Sequence, residues 1–457
     1  MAADVFPADN IAVNAAGHLA FAGQDTVDLA ERFGTPVYLM DEDRIRVNCR
    51  AYRDAFAAAF GRGGAEDCCM VGKPGPDAGF EVLFASKAAS YVRLYQLMAE
   101  ENMGVDVVSA GEIATAKAAG FDMSRAYFHG NNKTDADIAY GLDAGVGTFV
   151  VDGEEELAAL ETACAGRGMR QDILLRITPG IDPHTYEEEA TGKVDSKFGS
   201  AIATGAAEAI AAAALACPHL RLKGYHCHVG SQVFGEDVFE RAARVMLEFA
   251  ARIRDAYGFE PEELNLGGGF GVPYVAGEEP LDIAAKVAAL AHAVKAACAD
   301  FDLDVPRILM EPGRSIVADA GMTLYTEGSV KRIPGYKNYV SVDGGLPDNP
   351  RYALYRSRYT VLAASRAAEA CDMEATVAGR CCESGDIIQP GVMLPAGMAR
   401  GDILAVCTTG AYNYSMASNY NRIPRPSVVM LSGGEGGTAK VAVERETFED
   451  LIRLDVR

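Results

Sequence analysis

The sequence predicts an α/β fold with two domains: a (β/α)8 TIM-type barrel and a C-terminal mostly-β domain of barrel or sandwich type. Three observations carry this. Eight strand-like segments alternate with helical ones over roughly 240 residues, the count and length of an eight-fold barrel. After Gly321 the texture changes to short strands separated by turn residues. Polar side chains gather just behind the predicted barrel strands, where such folds carry their chemistry. An open doubly wound sheet is the competing fold, and eight units favour the barrel over it.

Composition bounds the rest. With 457 residues, 49% of them apolar and 23% charged, the chain is globular and too long for one ordinary core. Its net charge of −22 argues against nucleic acid or an anionic membrane surface as partner, since both require a basic face. The alanine-rich stretches 206–216 and 283–299 are shorter or more interrupted than the roughly 20 apolar residues of a membrane span. Met1-Ala2-Ala3-Asp4 shows no basic segment leading into an apolar one, so a cytoplasmic protein is expected. The 11 cysteines include no CxxC and two vicinal pairs, Cys68-Cys69 and Cys381-Cys382, which is neither a disulfide framework nor a zinc pattern.

In chain order, short strands are expected at 11–13 and 36–40 around a polar segment. A helix follows from Asp41 to about Phe60, capped by Asp41 or Asp43. Residues 61–79, rich in Gly, Pro and Cys, read as a surface excursion. Barrel strands are predicted at 82–86, 105–109, 126–129, 147–151, 172–177, 222–229, 263–266 and 307–310. The helical segments fall at 114–119, 135–142, 154–165, 205–216, 238–256 and 281–299. Beyond them, strands are expected at 323–333, 339–343, 359–363, 374–378, 403–408, 427–431 and 440–444, with a brief helical patch near 362–369. The barrel is thus assigned to 41–321, and 1–40 with 322–457 to the β domain.

The residues behind the strands make a chemical set. Lys87 ends the first strand, where a desolvated amine can act as a nucleophile, although most strand-end lysines reach solvent. Asp106 and Ser109 lie at the second strand, His129 at the third and Arg176 at the fifth. His226, His228 and Ser231 follow at the sixth, Gly267-Gly268-Gly269 at the seventh, and Glu311-Pro312-Gly313-Arg314 at the eighth. Glycines there can let backbone amides approach a phosphate, the usual use of the last two barrel loops. The pattern fits neither G-x-G-x-x-G nor a P-loop. His226 and His228 could share a strand face as a metal pair, pack as polar core, or stack on a cofactor ring; no further metal ligands are expected beside them. A lysine, a phosphate cup, a stacking ring and a carboxylate are together what pyridoxal 5'-phosphate needs, with Glu311 the carboxylate for the pyridine nitrogen.

The sequence resembles the fold-type III, alanine-racemase-like pyridoxal-phosphate decarboxylases. The resemblance rests on Phe84-Ala85-Ser86-Lys87-Ala88, on 104–112, and on Pro179-Gly180-Ile181-Asp182-Pro183-His184-Thr185. It continues through Thr191-Gly192-Lys193, Ser196-Lys197-Phe198-Gly199, 226–232, 266–271 and Glu311-Pro312-Gly313-Arg314. In the β domain it is carried by Asp343-Gly344-Gly345, Asp348-Asn349-Pro350-Arg351, Cys382-Glu383-Ser384-Gly385-Asp386, Gly410-Ala411-Tyr412 and 415–421.

The resemblance implies that Lys87 carries the cofactor and His228 stacks on its ring. Asp106, Ser231, Gly268, Gly269, Glu311, Gly313, Arg314 and Tyr412 complete the cofactor set. It further implies that Arg314, Arg351, Tyr355 and Tyr412 bind substrate, that Glu383 reads its far amine, and that Cys382 returns a proton to the α-carbon. That cysteine would come from the partner subunit of a head-to-tail homodimer, the β domain completing the active site. No metal is implied. The implied reaction is decarboxylation of meso-2,6-diaminopimelate to L-lysine and carbon dioxide. D-ornithine or D-lysine, carboxynorspermidine, or a basic L-amino acid are the alternative substrates, and a non-catalytic cofactor-binding homologue is the alternative of another class. Three departures stand out: Cys381 beside Cys382, Tyr352 where a proline is expected, and a long insertion at 72–79.

Overall fold

A computed structural model describes residues 6–61, 79–181, 195–235 and 237–456. Most of the 72–79 insertion and the motif residues Asp182 to Thr185 and Thr191 to Lys193 lie outside the described residues. The chain divides into two compact units, Asn48–Gly271 with Leu281–Ser315, and Met1–Val47 with Val272–Pro280 and Ile316–Arg457.

The first unit is a closed parallel barrel. Its strands are β1 (Phe80–Ala85), β2 (Gly104–Val107), β3 (Ala126–Phe128), β4 (Thr148–Val151), β5 (Gln171–Thr178), β6 (Leu220–His226), β7 (Glu263–Asn265) and β8 (Arg307–Met310). Each pairs in parallel with the next, and β8 returns to pair with β1. Closure leaves no edge strand among the eight. A two-residue strand, Ser200–Ala201, adds to β5.

Alternation along these strands stacks the interior in layers. The middle layer is apolar: Leu83, Tyr127, Val150, Leu174 and Leu309. Two residues earlier the strands bear buried Glu81 and Glu263. Arg125 pairs with Glu81 at 2.5 Å, Lys223 with Glu263 at 2.5 Å, and Arg307 bridges both carboxylates. Two residues later they bear Asp106, Arg176, His226 and Glu311, all buried. Only that second polar layer lies at the carboxyl ends of the strands, where barrels do chemistry.

The helices follow from ordinary signals. Asp282 caps Ile283–Phe301 by accepting the Ala285 N–H, and Thr134 forms a capping box with Asp137 before Asp135–Ala144. Glu42–Phe60 begins where Asp41 Oδ1 accepts the Arg44 N–H, one of the two caps expected. Helix Val92–Glu100 follows the turn at Lys87.

The second unit is β-rich with a mixed sheet. Gly321–Arg332 pairs antiparallel with Val37–Asp41, Ile403–Cys407 and Asn338–Val342, while Val37–Asp41 runs parallel to Ser427–Ser432. Strand Ile387–Leu394 was not expected, because Pro390-Gly391 in its middle reads as a turn. It is an edge strand with an irregular register against Met373–Ala378, the place where proline and glycine are tolerated. The polar segment before 36–40 holds helix Thr26–Phe33, capped by Asp25, whose side chain accepts the Val27 N–H.

Candidate active site

Glu311, one residue past β8, is the centre of the upper polar layer. Its Oε1 accepts the Asn265 side-chain amide at 2.6 Å and lies 2.8 Å from His129 Nε2, while Oε2 lies 3.2 Å from His226 Nε2. These partners stand at the ends of β7, β3 and β6, so closure of the barrel is what assembles them. Burial alone would raise the carboxyl's pKa, but His129 and His226 outweigh it and hold the group well below the usual carboxylate range. His226 pays the opposite way: burial lowers it to about 4 despite Glu311, so it is neutral at physiological pH. The rings of His129 and His226 meet edge to face, 4.7 Å apart.

Asp106, at the end of β2, differs from Glu311. Burial, opposed by His129 and reinforced by Glu311, raises it to about 6. Its Oδ1 is buried without a hydrogen-bond partner among the described residues, 3.8 Å from His129 Nε2. One polar layer thus holds a carboxyl drawn well below the usual carboxylate range and another raised above it.

Lys87 is the middle residue of a short 3-10 turn, Ser86–Ala88, directly after β1. It is exposed among the described residues while Ser86 and Ala88 are buried, where a water-poor amine was expected.

His228 also departs from expectation. β6 ends at His226, so the two histidines do not share a strand face. His226 turns inward to Glu311, whereas His228 lies in the following loop, where its Nδ1 accepts the Gly268 N–H at 3.2 Å. The possible metal pair is therefore replaced by another grouping, His129, His226 and Glu311, whose ligand atoms lie within 4.8 Å of one another. In that grouping both Glu311 oxygens already face nitrogen partners.

The triglycine has a packing reason of its own. A Cβ at Gly267 would strike the Cys227 carbonyl, at Gly268 the Glu311 carbonyl, and at Gly269 the Gly230 carbonyl. At Gly313 it would crowd Ala85. The loops after β6, β7 and β8 are thus in backbone contact, which only glycine permits. Arg314 Nη2 donates to Ser231 Oγ at 2.9 Å, joining the sixth and eighth loops. Arg176, buried at the end of β5, stacks on Phe198 at 4.2 Å and lies 3.9 Å from Asp152.

In the β unit, Arg351 is buried at the start of helix Arg351–Tyr355. Its guanidinium lies 5.4 Å from the Tyr355 ring and 5.2 Å from that of Tyr412, and donates to Ser357 Oγ at 3.2 Å. Tyr412 adopts φ of 63°, an uncommon conformation for a bulky residue. Cys382 and Glu383 are exposed on the turn after Met373–Ala378, where Glu383 Oε1 accepts the Gly385 N–H at 3.1 Å. Burial and Asp386 push the neighbouring Cys381 thiol up to about 12.

Asn265 was missed in the sequence, His129 was noted there without a role, and His226 was read only as a possible metal, core or ring-stacking residue. The available signal was period two: Asn265 stands two residues after buried Glu263 and two before Gly267.

An ionised buried carboxylate, a glycine-lined set of loops, a lysine at the end of β1 and an orphaned Asp106 oxygen suit a pyridine-ring aldehyde with a phosphate tail. These features define a barrel that binds pyridoxal phosphate. Residues 76–318 match the family described as "Pyridoxal-dependent decarboxylase, pyridoxal binding domain". The chain belongs to the pyridoxal-dependent decarboxylase family. It is 45% identical to the diaminopimelate decarboxylase of Bacillus subtilis, covering 97% of this chain and 96% of that protein. It is 38% identical to that of Mycobacterium bovis, covering 100% and 99%. Among solved structures, diaminopimelate decarboxylase from M. jannaschii in complex with L-lysine superposes with a TM-score of 0.84 at 31% identity, covering 98% of each chain. The Helicobacter pylori enzyme, also complexed with L-lysine, gives 0.80 at 29%, covering 94% and 99%.

Proposed function

We propose that the chain is a pyridoxal-phosphate-dependent carboxy-lyase that converts meso-2,6-diaminopimelate to L-lysine and carbon dioxide. The observation that carries this reading is similarity along essentially the whole chain to enzymes of that name, 38–45% identical. When bound, pyridoxal phosphate supplies an electron sink for the pair left behind as the carboxylate departs.

This chain's residues do the rest. Lys87 Nζ is the amine that carries the cofactor between turnovers. Glu311, ionised by its His129 and His226 neighbours, holds a proton on the pyridine nitrogen. His228 covers the ring face. Asp106, Ser231, Gly268, Gly269, Gly313 and Arg314 would complete the set that holds the cofactor. Arg314 and Arg351 hold the distal carboxylate, Tyr355 and Tyr412 pack beside it, and Glu383 pairs with the distal ammonium. A substrate end bearing both charges needs cations and an anion near each other, which a bare diamine end does not. The bond from the α-carbon to its carboxylate breaks, carbon dioxide leaves, and the Cys382 thiol would give the α-carbon the proton that replaces it. Solvent then restores that proton.

In this reading Cys382 and Glu383 act in the partner's site of a head-to-tail homodimer, and the β domain, 1–40 with 322–457, completes the active site of the 41–321 barrel. The enzyme works in the cytoplasm; no described helix is long and apolar enough to cross a membrane.

Borohydride reduction followed by peptide mass analysis tests the lysine. The cofactor mass is expected on the Lys87 peptide of the wild type and on no peptide of Lys87→Ala, which should release no carbon dioxide from diaminopimelate. A Lys87→Ala protein that still traps cofactor and turns over contradicts the assignment.

A further inference from the structure

Two loops of the β unit bear the groups assigned above to substrate and proton. Residues 344–350 lead into Arg351, and 379–385 carry Cys381, Cys382 and Glu383. Behind both lies Asp386, only 3% exposed. Its Oδ1 accepts the Leu346 N–H at 2.6 Å and its Oδ2 the Cys381 N–H at 2.6 Å. Its backbone carbonyl accepts the Gly379 N–H at 3.0 Å, its own N–H donates to the Glu383 carbonyl at 3.2 Å, and the Arg380 N–H donates to the Gly344 carbonyl at 2.9 Å. A Cβ at Gly345 or at Gly379 would strike the Asp386 carboxylate, so both loops come to it through glycine. Asp348 braces the first loop from its other side, accepting the Gly345 N–H at 2.9 Å and the Tyr325 hydroxyl at 2.5 Å.

Both Asp386 oxygens are thus committed to backbone amides, one from each loop. Buried and turned away from solvent, the carboxylate is badly placed to meet a substrate. Hydrogen bonds from amides to a buried carboxylate are strong and directional, so the position of one loop constrains the other.

We propose that Asp386 is a positioning residue that fixes the arginine loop and the cysteine loop in one frame. The proposal rests on the roles assigned above to Arg351 and Cys382. In the proposed dimer Arg351 serves its own barrel and Cys382 the partner's, so a single carboxylate in each chain ties two active sites together.

The test uses holoenzyme and mixed dimers. In Asp386→Ala the Leu346 and Cys381 amides exchange with solvent faster together, by about tenfold or more, while cofactor loading on Lys87 is unchanged. Two mixed dimers then separate the loops. In the first, an Asp386→Ala chain is paired with a Lys87→Ala chain, so the working barrel has its own arginine loop loosened. In the second, a wild-type chain is paired with one carrying both substitutions, so the working barrel receives a loosened cysteine loop. Relative to a wild-type and Lys87→Ala dimer, each loses about tenfold in kcat/KM. Asp386→Asn, which keeps one acceptor oxygen, falls between and serves in place of the alanine variant if that fails to fold. Loss in one arrangement or in neither overturns the proposal, as does loss of cofactor and fold together in both variants. If the amides lose protection but the wild type itself leaves diaminopimelate intact, the frame stands and the substrate assignment fails.

Discussion

The side-chain amide of Asn265, at the end of β7, donates to Glu311 Oε1 at 2.6 Å from across the β7–β8 pair. That amide is neutral, so it orients the carboxylate without competing for the proton that His129 and His226 keep off it. Asn265→Ala is expected to weaken cofactor binding about tenfold to a hundredfold, the worth of one buried hydrogen bond to a charged group. Glu311→Gln should bind cofactor yet lose about 10²-fold or more in kcat, because the electrostatic partner of the ring nitrogen is gone. Cofactor titration and steady-state kinetics separate the two effects.

His226 and Asp106 pull the acid stability of the barrel in opposite directions. Its folded pKa lowered to about 4 from 6.5, His226 takes up a proton on unfolding, so its share of stability falls as pH drops from 6.5 to 4. Asp106, raised from 3.8 to about 6, takes up its proton in the folded state, so its share rises over nearly the same window. Each is worth roughly 3 kcal/mol and they largely offset. In Asp106→Asn the compensation is gone, and urea unfolding of the cofactor-free protein at pH 6.5 and 4.5 should show a loss on acidification of about 2 kcal/mol beyond that of the wild type. An equal loss in both proteins contradicts the pairing.

Gly268→Ala tests whether the triglycine is there for packing. The new methyl meets the Glu311 carbonyl, and moving the loop misaligns the Gly268 N–H that holds His228. Destabilisation of about 1–3 kcal/mol is expected from overpacking, together with an altered absorption spectrum of the bound cofactor. A change in phosphate affinity alone, at full stability, would point to the phosphate role without the packing one.

Arg351→Lys keeps the charge and removes the planar fork set between Tyr355 and Tyr412. KM for diaminopimelate should rise about tenfold to a hundredfold with kcat changed far less, since the lost contacts bind the end of the substrate that does not react. Equal falls in kcat and kcat/KM would place Arg351 at the reacting carbon.

The alternation of strands and helices made the barrel legible, because strands buried on both faces read as apolar runs bounded by turns. Its charged floor was harder to see: Glu81, Lys223, Glu263 and Arg307 look like surface residues until closure pairs them. Lys87, Glu311 and the glycines could be read from position behind a strand. Asn265 could not, since its strand has three residues and carries little pattern. His228 was placed inside the sixth strand although it lies two residues beyond it, because β6 stops at His226 and a loop held to Gly268 takes over. Asp386 was visible only as the end of a motif. Its two amide partners lie 40 and 5 residues away in sequence, and only the folded β unit brings them to one carboxylate.

Substrate choice is read from carbon dioxide release by the holoenzyme, measured side by side on meso-2,6-diaminopimelate, D-ornithine, D-lysine, carboxynorspermidine and L-lysine. Release from meso-2,6-diaminopimelate with stoichiometric L-lysine is expected, at a kcat/KM at least about 10²-fold above each substrate lacking the distal carboxylate or ammonium, whose partners are then left unpaired. Preferential turnover of one of the others, or none of diaminopimelate, contradicts the substrate assignment.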